Sequence, residues 1–104
     1  MRVGKVIGTV TLNRAHPTMI GARFKLVVPL SLEMLLGERP ADAEELVLYD
    51  ELGAHDGCLV AFSEGREAAQ PFAEPKPVDA YLAAILDQVE VCPLREVLPV
   101  SAGE

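Results

Sequence analysis

Two histidines, His16 and His55, are the first residues in this chain to test for chemistry, and each falls in a turn-like stretch far from the other. Asp56 follows His55 directly and is the one neighbour able to orient its imidazole. Adjacent residues point in different directions, however, and no Ser or Cys stands at a nucleophile's spacing, so the sequence favours solvated turn histidines over a catalytic pair. The carboxylates Asp42, Glu44, Glu45, Asp50, Glu51 and Asp56 alternate with apolar residues instead of converging, which reads as a solvated strand face. Cys58 and Cys92 are widely spaced, without a CxxC pair or a nearby His, so no zinc site or disulfide framework is indicated and reduced thiols are expected. The pairs Gly4/Gly8 and Gly53/Gly57 fit neither a phosphate loop nor the start of a convincing helix, and are better suited to bends and close contacts. No catalytic, cofactor-binding or metal-ligating set emerges, and no cofactor is expected.

Composition narrows the partners. The 104 residues suffice for one domain with a real core, and half are hydrophobic. Only 5% are aromatic, so the core has to be built mostly from Val, Leu, Ile and Ala. The formal net charge of −7 argues against a nucleic-acid backbone as partner, because such binders present a basic face. The N-terminus alternates polar and apolar residues without a signal-peptide core, and no stretch approaches the roughly 20 apolar residues of a membrane span. A soluble, cytoplasmic protein is expected.

The elements that would carry these residues read mainly as strands. From Arg2 to Asn13 the apolar residues switch parity at Val6–Ile7, which predicts a bulge near Gly8. Arg14 to Gly21 is a turn, and Ala22 to Leu30 a second strand. Ser31, a fair N-cap, and Gly37, a fair stop, bracket one helical turn within the longest connection, Ser31 to Ala43. Glu45 to Glu51 alternates, with Leu46, Leu48 and Asp50 on one side and Val47, Tyr49 and Glu51 on the other. The turn Leu52 to Gly57 leads into a fourth strand, Cys58 to Phe62. Ser63 to Gln70 is polar, and Pro71 to Pro77 is a stiff, proline-rich connector. The last element is read as a helical turn near Pro77 to Leu82 feeding a strand that ends near Cys92. Val6, Val10, Phe24, Leu26 and Val28 are the candidate core residues of the first strand pair. Residues 1–92 thus make one β-domain, and 93–104, with Pro93, Pro99 and Gly103, an extended or flexible tail. Several strands carry apolar residues on both faces, so a barrel this thin needs a neighbouring surface to cover its outside.

Three blocks, in order, resemble one known family. "KVIGTV" (Lys5–Val10) followed by "HPTMIGARFKLVVPL" (His16–Leu30) resembles the opening of the EutN/CcmL-type bacterial microcompartment vertex proteins. "VLYDELGAHDGCLVAFSEG" (Val47–Gly65) is similar to that family's D-x-V-G-A-G-x-G/N-E-x-V-L-V-x-x-G block through Asp50, Gly53, Ala54, Gly57, Val60 and Gly65. "KPVDAYLAAILDQVEV" (Lys76–Val91) resembles its closing P-V-D-A-x-x-x-G-I-V-D segment through Pro77, Val78, Asp79, Ala80, Ile85 and Asp87.

The resemblance implies a mainly β fold: a small five-stranded OB-like β-barrel with a short helical turn, assembling as a cyclic homopentamer. It also implies a structural role at the vertices of a polyhedral shell, no catalytic residues, and hexameric or pseudohexameric shell tiles as neighbours. The candidate five-fold axis loop is Gly53, Ala54, His55, Asp56 and Gly57. His55 departs from the family's usual second glycine there, Cys58 from a common acidic residue, and Ala84 from a glycine. A different reading of the same barrel is a monomeric OB-like module that binds a small ligand or an oligonucleotide, although acidic charge and scarce aromatics weigh against nucleic acid.

Overall fold

The computed structural model describes residues 1–73 and 76–92, the side chain of Glu67 excepted. The boundary proposed for the tail, 93–104, therefore lies outside the described residues. Five strands, β1 (Arg2–Val10), β2 (Phe24–Pro29), β3 (Leu46–Tyr49), β4 (Leu59–Glu64) and β5 (Ala80–Leu86), close into a barrel in the order β1-β2-β3-β5-β4. All neighbouring pairs are antiparallel except β3 and β5. This is the strand order of an OB-like barrel, in which closure removes most free edges.

The parity switch in β1 is a real bulge. Gly4, Lys5 and Val6 pair with Pro29, Val28 and Val27, and the register then slips so that Gly8 faces Leu26. Val6 is thereby kept inside at 1% exposure, while Ile7 is turned outward. Gly4 is fixed by packing: a Cβ there would run into Val27 Cγ1 and lie 3.0 Å from both Phe62 Cε1 and the Val28 carbonyl oxygen. The helical turn α1 (Leu32–Leu35) forms as its caps predict, with Ser31 Oγ accepting from the Met34 amide at 3.3 Å and Gly37 at φ 77° ending it.

The central core consists of Val6, Val27, Leu48, Ala54, Val60, Phe62, Ala80 and Leu82. Of the candidate core residues, Val6 belongs to this cluster; Phe24 and Val28 are buried but outside it, and Val10 and Leu26 are only half-buried. The inward residue of β2 is Val27, on the opposite parity. Phe24 is buried because the outer face of the barrel has its own cover. Its ring meets Tyr49 edge-on at 5.4 Å, Tyr49 meets Phe72 at 4.7 Å, and Phe72 meets Tyr81 at 5.4 Å. Lys76 lies over the Tyr49 and Phe72 rings and donates from Nζ to the Thr18 carbonyl oxygen. Phe72 and Lys76 of the proline-rich connector thus cap a cluster with Phe24, Tyr49 and Tyr81, the rings that β2, β3 and β5 carry on their outer side.

The reading of the last element needs correction. Residues 77–82 form no helical turn; Ala80 to Leu86 is strand throughout, and the short helical segment before it is a 3-10 turn at Gly65–Ala69. The cause is a register shift in the β4–β5 pair, where Ala61 faces Ala84 but Phe62 faces Leu82. One extra residue in β5 breaks strict alternation and leaves a spacing of apolar residues that imitates a helix. The strand also stops at Leu86, short of Cys92.

Candidate assembly surface and the Asp50 loop

The turn between β3 and β4 holds the candidate loop residues, and a buried carboxylate organises it. Asp50 is 1% exposed. Its Oδ1 accepts from the amides of Leu52 and Gly53 at 2.8 and 3.0 Å, and its Oδ2 from the amide of Ala54 at 2.9 Å. Three backbone donors converging on one ionised acceptor form a charge-assisted clamp. Gly53 at φ 79° lets the chain turn back over the carboxylate, and Ala54 drops its methyl group into the core. On the far side, Gly57 at φ 90° donates to the Val6 carbonyl at 2.8 Å, Val6 donates to the Cys58 carbonyl at 2.9 Å, and Cys58 donates to the His55 carbonyl at 3.1 Å. Both limbs are fastened to the barrel, and His55 and Asp56 stand exposed at the tip. In the Nδ1-protonated tautomer His55 donates to the Asp56 carbonyl at 3.3 Å.

Asp50 is therefore not part of a solvated face, unlike Asp42, Glu44, Glu45, Glu51 and Asp56, which are exposed. The signal was present in the strand's alternation: Asp50 shares its parity with Leu46 and Leu48, the inward side. An acid at an inward position, followed by a turn with glycine, is suited to accepting that turn's amides.

A second fastener lies just outside the clamp. The Tyr81 hydroxyl donates to Glu51 Oε1 at 2.6 Å. That hydrogen bond, then burial, then the nearby negative charge of Glu51, hold the phenol up at about 12. A raised tyrosine value stabilises the fold fully below the ordinary value of about 10. The contribution is lost only as pH climbs through about 12. At any working pH the fastener is closed.

His16 serves locally, its Nδ1 accepting from the Thr18 amide at 3.2 Å at the start of the 3-10 turn Pro17–Met19. It sits on the β1–β2 connection and His55 on the β3–β4 turn. Among the described residues no group of three or more His, Cys, Asp and Glu side chains converges as a metal site would. Cys58 is half-buried against the core. What the barrel does present is apolar surface: Ile7, Leu12, Val47, Leu52 and Ile85 are each more than two-fifths exposed.

The family profile described as "Ethanolamine utilisation protein EutN/carboxysome" matches residues 1–87. The chain belongs to the EutN/CcmL family. It is 36% identical over 94 residues to the carboxysome shell vertex protein CcmL of Gloeobacter violaceus, covering 88% of this chain and 87% of that protein. It is 32% identical over 88 residues to the bacterial microcompartment shell vertex protein PduN of Salmonella typhimurium, covering 84% and 96%. Among solved structures, that of Gloeobacter violaceus CcmL superposes with a TM-score of 0.74 at 34% identity, over 88% of this chain and 90% of that one. The pentameric microcompartment shell protein GrpN of Rhodospirillum rubrum superposes with a TM-score of 0.72 at 30% identity, over 89% and 100%. The barrel is thus that of the EutN/CcmL shell vertex proteins, which is what the three sequence blocks implied, and this chain is a structural component of such a shell.

Proposed function

We propose that five copies of this chain close into a ring that fills the corners of a bacterial microcompartment shell, bordered by hexameric or pseudohexameric tiles. Flat six-fold tiles cannot close a polyhedron by themselves, so a five-fold unit supplies the curvature. The observation that carries this reading is the match of the whole barrel to a shell protein that is itself pentameric. The exposed Ile7, Val47 and Ile85 support it, because a cyclic ring needs two different faces of each barrel to be covered. The role is architectural and not enzymatic. Co-expression of a hexameric shell tile with this chain should give closed polyhedra by electron microscopy, whereas the tile alone gives sheets or tubes. Open assemblies in both cases would remove the vertex role.

The loop Gly53, Ala54, His55, Asp56 and Gly57 faces the five-fold axis in this reading, so closure gathers five imidazoles around one opening. The Asp50 clamp supports the assignment, since a loop lining a shared opening has to hold its shape. Pyrene attached to His55→Cys, in a Cys58→Ala/Cys92→Ser background, should show excimer emission in the assembled ring. Monomer emission alone, in a verified pentamer, would place the loop away from the axis.

A further inference from the structure

The peptide group of Thr18 is held from both ends by ionisable side chains that come from different parts of the chain. Its N–H donates to His16 Nδ1 at 3.2 Å, and its carbonyl oxygen accepts from Lys76 Nζ, 58 positions further on. The Thr18 hydroxyl lies 2.8 Å from the same ring nitrogen. His16 caps the 3-10 turn Pro17–Met19, and Lys76 is the residue that lies over the Tyr49 and Phe72 rings. One peptide thus joins the β1–β2 connection to the connector on the outside of the barrel.

Two clefts meet at this turn. The larger, of about 420 Å³, lies within the β1–β2 connection and the strand ends that flank it. The smaller, of about 140 Å³, is bounded by Met19 and Phe24 and, from the connector's end, by Pro77 and Val78. Met19 and Phe24 line both clefts. Met19 is half-buried and directly follows Thr18, so the bonds that fix the Thr18 peptide also fix the residue between the clefts.

We infer that this arrangement is a proton-operated latch. A ring nitrogen accepts a hydrogen bond only while it carries no proton, and histidine is the side chain whose charge ordinarily changes between about pH 5 and 8. Once Nδ1 is protonated, the Thr18 hydroxyl can reverse and accept from it, but the Thr18 amide faces a donor and loses its acceptor. The cap of the turn is lost. The charged groups on the elements beside the turn are Arg14 in the same connection, Arg23 and Lys25 at the start of β2, and Lys76 and Asp79 around the connector. All but Asp79 are cations, and among the described residues no carboxylate pairs with His16, so the imidazolium gains no new partner that would keep it on the turn. The Thr18 carbonyl then leaves Lys76, Met19 leaves the boundary between the two clefts, and the buried Phe24 ring that lines them both is uncovered. The latch lies within one subunit, so it stands apart from how the ring closes.

Methyl-labelled methionine NMR of the full-length chain reads the latch at Met19, with Met34 of α1 as a control in the same molecule. Between about pH 8 and pH 5 the Met19 methyl signal and the Phe72 ring signals should move in step with the His16 ring signals, while Met34 stays in place. Asparagine caps a helical turn well and does not titrate, so His16→Asn should hold Met19 and Phe72 at their alkaline positions throughout. Lys76→Met should leave the Met19 response and abolish that of Phe72. A His16 ring that titrates while Met19 stays still overturns the latch. So does a Met19 shift that survives in His16→Asn, which assigns it to another group, or one that Met34 shares, which assigns it to the whole barrel. A Phe72 response that survives in Lys76→Met overturns the link through the Thr18 carbonyl.

Discussion

Truncating Phe24 to Ala is expected to destabilise the protein by about 3–5 kcal/mol, the usual range for a buried phenylalanine. Phe24 is 5% exposed, and its ring is one end of the chain of contacts Phe24–Tyr49–Phe72–Tyr81. The loss has two parts. The buried area of one ring is removed, and the edge-on contact to Tyr49 disappears, so the connector bearing Phe72 and Lys76 loses part of its seat. Chemical unfolding at matched protein concentration reads the effect, since an assembling chain gains stability from its partners by mass action. An unchanged midpoint would show that Phe24 is not buried against Tyr49 in solution.

Asp50→Ala should cost about 2–4 kcal/mol, because hydrogen bonds to an ionised acceptor are each worth about 1.5–3 kcal/mol and water recovers only part of that. The Ala54 amide is the buried one of the three donors and is left without its acceptor. Asp50→Asn should recover little of the loss. Its carbonyl oxygen can still serve Leu52 and Gly53, but its amide nitrogen then points a donor at the Ala54 donor. The measurement is again unfolding at fixed concentration, with the asparagine variant as the discriminating case. Wild-type stability in Asp50→Asn would mean that the negative charge does not hold the loop.

These two residues also show what was legible from the chain alone. The bulge beside Gly8 and the capped turn at Ser31 could be read because each leaves a local mark, a parity switch beside a glycine and a hydroxyl at the right offset, whereas the closed five-stranded barrel came from the resemblance of three blocks to one family. The Val47–Gly65 block identified the loop and its glycines. The role of Asp50 was hidden because a carboxylate in a run of acids looks solvated, and only its parity with Leu46 and Leu48 distinguishes it from Glu51. β5 was misread because a bulge opposite Ala61–Phe62 disguises the strand period. The aromatic strap had no local signature at all, since Phe72 and Tyr49 meet only after the chain has passed through β4 and the Gly65–Ala69 turn.

The central claim is a closed five-fold ring, and native mass spectrometry of the full-length chain at micromolar concentration tests it directly. The account predicts one dominant species at five times the chain mass, stable to dilution, with no open series of intermediate oligomers. A monomer or dimer as the dominant species under those conditions would contradict it.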